Sequence, residues 1–196
     1  MEYLIRHYDL DEGALEIQYI EEWFGEFQRR KTAAEIKRRL EDREHVIMMA
    51  EAALADDANQ VIPVAYKVSH EIRLDETDLK LADLVERLSD SVEFRDRKVL
   101  YSWIGGTRRD WRGQGQFRAL TEEQEVWAVG AGYDEVVIKT KNKFFDMRGT
   151  LDTLGFEVVK FERHPEDNGE SKVYLSKRLG PGVLDSHRTV RTVVRG

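Results

Sequence analysis

The sequence of 196 residues contains no cysteine. This absence excludes disulfide bonds, thiol nucleophiles, acyl-cysteine intermediates and thiolate metal sites. The histidines show neither HxH nor HxxxH spacing, so we expect no metal site; they are His7, His45, His70, His164 and His187. A Gly-x-Ser-x-Gly elbow is also missing, which removes the commonest layout of a serine hydrolase.

The sequence also lacks long apolar runs and an excess of basic residues. No run approaches the roughly 18 residues of a spanning helix, and the N-terminus has no apolar signal region. The 31 basic and 38 acidic side chains give a net charge of -7, opposite in sign to a surface that binds polyanions. We therefore expect a soluble, cytoplasmic protein that binds neither nucleic acid nor membranes, and that attracts cationic small molecules.

The composition is that of a folded domain. Hydrophobic residues make up 41% of the chain, which includes eight Phe, seven Tyr and four Trp, and this is too many for a disordered protein. The length predicts a single domain over residues 1–180, closed by Gly180-Pro181-Gly182. The tail, residues 181–196, has little periodicity, and we expect it to be flexible or to form an interface, as in a homodimer.

Hydrophobic periodicity predicts an α/β layer. The first half is predicted to contain a strand over 2–9, a helix through 17–27, a helix from a capping box at Thr32 to Arg43, and a hairpin of strands 45–53 and 61–72. The second half is predicted to contain strands 98–107, 135–140, 156–162 and 172–177, with helices 116–130 and 144–154. Residues 73–96 hold eight carboxylates but keep an apolar stripe at Leu81, Leu84, Val85 and Leu88, which predicts an inserted helix around 77–90.

The most informative segment is the glycine-rich turn between strand 98–107 and helix 116–130. Such a turn leaves backbone N–H groups pointing outward at the positive end of a helix dipole, where a phosphate or pyrophosphate binds. It is not a Walker loop, because a Gly-Lys-Ser/Thr ending is missing. It also departs from GxGxxG, because Arg118 occupies the position of the third glycine. Spacing alone leaves open a plain helix start with flexible glycines.

Several segments in order resemble the coenzyme A-binding half of the GNAT superfamily of N-acetyltransferases. They are Arg112-Gly113-Gln114-Gly115, the helix through Ala119-Leu120 to Ala128, the exit Gly132-Tyr133, strand 135–138 and Leu154-Gly155-Phe156. The resemblance is close over residues 97–162. Arg112 and Gly115 fit the family signature Gln/Arg-x-x-Gly-x-Gly/Ala, whereas Phe117 stands in place of its last small residue. The resemblance implies a mixed central sheet of about seven strands flanked by about four helices.

The resemblance also implies the cofactor and its contacts. Acetyl-CoA, as a co-substrate without a metal, is expected where strands 98–107 and 135–140 splay apart. The amides of residues 112–117 are expected to hold the pyrophosphate, and backbone groups of the first strand to pair with the pantetheine arm and stabilise the oxyanion. The residues implied to bind the cofactor are Gly105, Thr107, Arg112, Gly113, Gln114, Gly115, Gln116, Phe117 and Asn142.

The implied reaction is transfer of an acetyl group to a primary amine, of a small molecule or a peptide, by direct attack in a ternary complex. A lysine-like amine has a pKa of about 10.4, so a base or a water chain must remove its proton. Many family members carry a glutamate on the central strand and a tyrosine on the following helix. This sequence has no acidic residue between Val99 and Thr107, and Leu151 occupies the tyrosine position. Either the cofactor thiolate leaves unaided, or other residues act as acid and base. The candidates for these roles are Glu71 and His70 on the preceding strand, Tyr101 on the central strand and Tyr174 on the last strand.

Two other functions stay open at the level of sequence. The missing glutamate and tyrosine are compatible with a non-catalytic acyl-CoA-binding or regulatory domain of the same fold. If the glycine loop binds no nucleotide, the protein is an interaction module built on its acidic helix. The acceptor is undetermined among polyamines, amino sugars, antibiotics, amino acids and protein termini.

Overall fold

The computed structural model describes residues 3–10, 31–54, 57–187 and 193–194. The helix predicted through 17–27 lies outside these residues. The chain divides into two compact units. The first consists of residues 1–70, 104–124 and 188–196, and the second of residues 71–103 and 125–187.

The first unit is built on antiparallel strands. Its elements are β1 (Leu4–Tyr8), α1 (Ala33–Leu40), β2 (His45–Leu54), β3 (Asp57–Ile72, as far as His70), the end of β4 (Val99–Thr107), the first part of α3 (Gln116–Gly130) and β8 (Val193–Val194). The strand order is β4-β3-β2-β1-β8. β2 is antiparallel to both β1 and β3, whereas β8 is parallel to β1.

The capping box predicted at the start of α1 is confirmed. The Glu35 backbone N–H donates to Thr32 Oγ1 at 3.1 Å, and the Thr32 backbone N–H donates to the Glu35 carboxylate at 2.9 Å. Each side chain therefore satisfies a backbone donor that the helix itself leaves without an acceptor. The apolar face buries Ile36 and Leu40, and α1 ends at Leu40 rather than at the predicted Arg43.

The second unit contains the parallel pairing of the sheet. Its elements are α2 (Leu79–Leu88), the first five residues of β4, the rest of α3, β5 (Glu135–Lys141), α4 (Phe145–Thr153), β6 (Glu157–Glu162) and β7 (Lys172–Arg178). The strand order is β6-β7-β5-β4. β4 and β5 are parallel, and β7 is antiparallel to both β5 and β6.

The predicted inserted helix is α2, and it packs on the sheet of its own unit. Asp78 caps it by accepting hydrogen bonds from the backbone N–H groups of Lys80 at 2.9 Å and Leu81 at 3.1 Å. The whole predicted apolar stripe is buried. Its members, Leu81, Leu84, Val85 and Leu88, form one cluster with Val99, Tyr101, Val137 and Tyr174. The cluster therefore buries the apolar face of α2 within its own unit, and no second protomer is needed to cover it.

Part of the tail adds a strand to the sheet. Val193 and Val194 pair in parallel with Ile5 and Arg6 of β1, and a short 3-10 turn covers Val183–Ser186. The described residues thus contain eight strands and four α-helices, one strand more than expected. None of these helices is long and apolar enough to cross a membrane.

Candidate functional site

The glycine-rich turn is a shaped loop between β4 and α3. Arg109–Trp111 forms a 3-10 turn in which Trp111 is buried. Gly113 and Gly115 then adopt φ values of 75° and 86°, a left-handed conformation that other residues adopt only with strain. A Cβ at either position meets no atom within 4 Å. The backbone conformation, and not a lack of space, therefore requires glycine here.

The loop presents a row of backbone donors. Among the described residues, the backbone N–H groups of Gly113 to Phe117 have no hydrogen-bond acceptor, and the first bond of the helix is donated by Ala119 to the Gly115 carbonyl at 3.0 Å. Five successive N–H groups thus lie at the positive end of the α3 dipole. This arrangement suits an anion with several oxygen atoms, such as a pyrophosphate.

Contacts within the first unit fix the shape of the loop. The Arg108 backbone N–H donates to the Val64 carbonyl of β3 at 2.9 Å. Arg112 Nε donates to the Thr107 carbonyl at 3.2 Å, and Gln114 Nε2 donates to the Asp110 carbonyl at 3.4 Å. The side chain of the signature arginine therefore links the middle of the loop to the last residue of β4.

Gly105 lies where β4 approaches β3 closely. A Cβ at this position sits 3.0 Å from the Tyr66 carbonyl oxygen and 3.7 Å from Lys67 Cγ. The first distance is shorter than normal van der Waals contact, so any side chain would force the two backbones apart. The packing of the sheet accounts for this glycine, whatever binds along β4.

Phe117, which departs from the family signature, is held by Lys67, a residue that no sequence motif indicates. Lys67 of β3 is 3% exposed, and its ammonium group lies 4.7 Å from the centroid of the Phe117 ring. Lys67 Nζ also donates to Thr121 Oγ1 at 3.1 Å, and that hydroxyl donates to the Phe117 carbonyl at 2.8 Å. In the sequence, this contact is indicated only by the presence of a lysine within the apolar stretch 61–72.

The parallel register of β4 and β5 covers four pairs, from Val99 with Glu135 to Ser102 with Ile138. Both strands continue beyond the last pair, β4 as far as Thr107 and β5 as far as Lys141. Trp103 and Lys139 are therefore the first residues past the paired stretch.

Asn142 has partners within the second unit. Its side-chain Nδ2 donates to the Asn168 carbonyl at 3.1 Å, and its Oδ1 accepts from the Arg148 guanidinium. Its backbone N–H donates to the Ser171 carbonyl at 2.8 Å. These bonds tie the end of β5 to the loop that precedes β7.

Glu71, the candidate general base, forms an ion pair with Arg73. Its Oε2 accepts from Arg73 Nη2 at 2.6 Å and from Arg73 Nε at 2.8 Å, and its side chain is 19% exposed. His70, the preceding residue, is fully buried.

Tyr101 and Tyr174, the candidate acids, lie in the apolar cluster under α2. Tyr174 is fully buried, and its hydroxyl donates to the Glu162 carboxylate at 3.1 Å. Burial first, and then the Glu162 charge, raises the pKa of Tyr174 above its usual range. Leu151, at the position of the family tyrosine, is also fully buried.

Charged side chains surround Tyr174 on four elements of the second unit, α2, β5, β6 and β7. Arg87 of α2 bonds both to Asp83, at 2.8 Å, and to Glu162 of β6. Lys172 pairs with Glu162 at 3.4 Å, and the Lys139 ammonium lies 5.7 Å from the Tyr174 ring centroid.

In the described ranges, no three His, Asp or Glu side chains are grouped as a metal site requires.

Comparison with known proteins gives matches among solved structures only. No protein-family model matches the sequence, and no curated protein does so. The NatC complex bound to Gag peptide and CoA matches with a TM-score of 0.67 and 14% identity over 92% of this chain and 100% of that one. NAA60 from Arabidopsis thaliana in complex with acetyl-CoA matches with a TM-score of 0.64 and 12% identity, over 91% and 99%.

A third match, a GNAT superfamily phosphinothricin acetyltransferase from Sinorhizobium meliloti in complex with acetyl-CoA, has a TM-score of 0.62 and 14% identity, over 92% and 90% of the two chains. The chain therefore has the fold of the GNAT acetyltransferases. The predicted fold class is confirmed, including a helix inserted between β3 and β4.

Proposed function

We propose that this chain is an N-acyltransferase that transfers an acetyl group from acetyl-CoA, or the acyl group of a related thioester, to a primary amine. The observation that carries the proposal is the row of five backbone donors from Gly113 to Phe117 at the start of α3. The similar structures add support, since one is a GNAT superfamily phosphinothricin acetyltransferase in complex with acetyl-CoA and the other two are complexes with CoA or acetyl-CoA.

The loop fits the proposed co-substrate on chemical grounds. The N–H groups of residues 113–117 suit the pyrophosphate of coenzyme A, whereas the Arg112 N–H already donates to the Arg109 carbonyl at 3.4 Å. The absence of side chains at Gly113 and Gly115 lets the anion approach the backbone. Backbone groups of Gly105 and Thr107 are proposed to pair with the pantetheine arm, with Asn142 near the cofactor. When bound, acetyl-CoA supplies an activated acetyl group as a thioester.

Glu71 is the general base that we propose for the amine. Its carboxylate lies at the end of β3, reaches solvent and is held in position by Arg73. Tyr101 and Tyr174 are the other proposed proton carriers, but their burial under α2 gives them less access to an acceptor. The proposed reaction is direct attack of the free amine within a ternary complex, on an amine of a small molecule or a peptide.

A non-catalytic acyl-CoA-binding or regulatory domain is the second candidate function. It is favoured by the buried state of Tyr101 and Tyr174 and by the buried leucine at position 151, because a general acid must reach the leaving thiolate. Binding of acetyl-CoA is common to both functions. Only turnover with an amine separates them.

The first test measures the melting temperature of the purified protein with and without acetyl-CoA, since a ligand that binds only the folded state raises it. The double variant Gly113→Leu/Gly115→Leu should lose this shift. Gly132→Leu is the matched control, because Gly132 has a φ of 76° and equally open surroundings outside the loop. A panel of amines with detection of the released thiol then tests catalysis. A full shift in the double variant rules out the loop, and binding without thiol release favours the regulatory domain.

A further inference from the structure

Lys139 occupies a distinctive position on β5. It is the first residue beyond the last register pair with β4, which joins Ser102 to Ile138. On its other side it pairs with Tyr174 of β7, and its half-buried side chain brings the ammonium 5.7 Å from the centroid of that ring.

Lys139 differs from its neighbours in the partners it has. Lys141 and Lys143 both bind the carboxylate of Glu170, and Lys172 pairs with Glu162. Within the described part of the chain, Lys139 has no carboxylate at ion-pair distance. Of these four lysines, Lys139 is therefore the one whose ammonium forms no salt bridge with a described residue.

The surroundings of Lys139 favour its neutral amine. Burial and the positive charges of Lys172 and Arg87 lower the pKa of this lysine, while the carboxylates of Asp83 and Glu162 act in the opposite direction. The net effect is a lower pKa than that of an exposed lysine. A larger fraction of Lys139 is then unprotonated near neutral pH, and this is the nucleophilic form.

We propose that Lys139 is a self-acylation site, at which the protein transfers the acyl group of its own bound acyl-CoA to the ε-amine. This inference rests on the proposed function, with the thioester of acetyl-CoA taken to lie where β4 and β5 separate beyond their last register pair. Lys139 Nζ attacks the thioester carbonyl carbon, so that the C–N bond forms and the C–S bond breaks. The coenzyme leaves as a thiolate and takes up the proton that the nitrogen loses. The products are an acyl-lysine amide and free coenzyme A, and no further reactant is needed.

Self-acylation at Lys139 needs no separate general base for an incoming amine. An external ammonium must first lose its proton to a separate base, the role that we propose for Glu71, since Tyr101 and Tyr174 are buried. Burial lowers the pKa of Lys139, so a larger fraction of its amine is neutral than in an exposed lysine. Because β5 holds this amine, the entropy cost of bringing in a second molecule is avoided.

The test incubates the purified full-length protein with acetyl-CoA at neutral pH and locates acetylated lysines by mass spectrometry of peptides. We expect occupancy at Lys139 to exceed that at the exposed Lys80 by about tenfold or more, because uncatalysed acetylation follows exposure and not position in a site. Lys141 and Lys143, which are held by Glu170, should stay nearly unmodified. Lys139→Arg should abolish the main modification without changing the thermal shift given by acetyl-CoA.

The loop variant Gly113→Leu/Gly115→Leu separates this inference from the proposed function. It should lose the thermal shift and the acetylation of Lys139 together. A wild-type protein that shows the shift but no acetyl group on Lys139 overturns self-acylation and leaves the proposed function standing. Equal labelling of Lys80 and Lys139, or labelling that survives in the loop variant, also overturns it. If neither the shift nor the label is seen, both proposals fail.

Discussion

The ammonium group of Lys67 lies over the ring of Phe117, 4.7 Å from its centroid. Phe117 is the residue that departs from the small residue of the GNAT signature, and a large ring there needs a surface to pack on. The buried lysine of β3 provides that surface and also bonds to Thr121, one turn further along α3. The pair thus ties the first turn of α3, and with it the loop of backbone donors, to β3.

A double-mutant cycle measures this contact. Lys67→Met and Phe117→Leu preserve most of the apolar volume but remove the cation and the ring, so we expect a coupling free energy of about 0.5–2 kcal/mol in urea unfolding. Lys98→Met is the control, because the Lys98 ammonium lies over the ring of Tyr133 at 4.3 Å. Its effect should add to that of Phe117→Leu. Coupling near zero for the Lys67 pair would show that the stacking is incidental.

Two glycines should respond oppositely to alanine. Gly105→Ala puts a Cβ 3.0 Å from a backbone carbonyl of β3, and we expect it to lower the free energy of unfolding by about 1–3 kcal/mol. Gly149 lies inside α4, has no atom within 4 Å of an added Cβ and has no positive φ. Gly149→Ala should therefore raise stability by roughly 0.5–1 kcal/mol. Equal effects of the two changes in thermal unfolding would contradict the close approach of β4 to β3.

Helices and strands could be predicted from the sequence where a local pattern of residues determines them. The capping box at Thr32 and the apolar stripe of α2 are both local, and both are found. The surface covered by α2 was not predictable, because the stripe fits its own sheet and a second protomer equally well. Packing resolves this: the stripe lies against Tyr101 and Tyr174, two residues far apart in the chain.

The candidate site was less predictable, since it depends on contacts between distant residues. The sequence points to the loop through its glycines, but nothing local indicates that Lys67 packs on Phe117, 50 positions away in the chain. Glu71 was predicted as a candidate from its position on the strand. Its ion pair with Arg73 is compatible with the sequence but could not be predicted from it. Lys139 belongs to no sequence motif, because what distinguishes it is that no carboxylate of the described residues lies within ion-pair distance of its amine.

Glu71→Gln tests the proposed base. It should lower turnover with the acceptor amine by roughly 100-fold or more, with little change in acetyl-CoA affinity, and the loss should shrink at high pH, where solvent supplies free amine. Acetylation of Lys139 should be unchanged. Glu76→Gln, measured at high salt where attraction of the amine by charge is screened, is a matched control, because Glu76 bonds to the backbone of the same Arg73 at 3.0 Å. Wild-type turnover of Glu71→Gln at neutral pH would remove Glu71 from the reaction.

Glu170 makes stability depend on pH in the acid range. Hydrogen bonds from Lys141 and Lys143 lower the pKa of its carboxyl from 4.5 to about 2. A lowered folded-state pKa stabilises the ionised form, so the contribution is complete above the unfolded pKa and is lost as pH falls toward 2. The difference in free energy of unfolding between wild type and Glu170→Gln should be constant above about pH 5 and disappear in strong acid. In a Lys141→Met/Lys143→Met background, this pH dependence should vanish; its persistence would assign it to other groups.

The last prediction concerns the acidic segment that leads into α2, whose carboxylates we expect to attract a cationic acceptor. Two of these carboxylates also have local bonds, since Glu76 accepts from the Arg73 backbone and Asp78 caps α2, while Asp75 is exposed. Amide replacements keep these bonds and remove only the charge, because asparagine caps a helix about as well as aspartate.

The triple variant Asp75→Asn/Glu76→Gln/Asp78→Asn should therefore fold normally and bind acetyl-CoA normally. Its kcat/KM for a cationic amine should fall severalfold at low salt, and the loss should diminish as ionic strength shortens the screening length, which is about 10 Å at 0.1 M. The control neutralises the exposed carboxylates Asp152, Glu157 and Glu166, which changes the net charge by the same amount elsewhere on the chain. An equal loss in both triple variants would assign the effect to overall charge. If the Asp75→Asn/Glu76→Gln/Asp78→Asn variant keeps the full wild-type kcat/KM at low salt, the acidic segment has only a structural role, in leading into α2 and capping it.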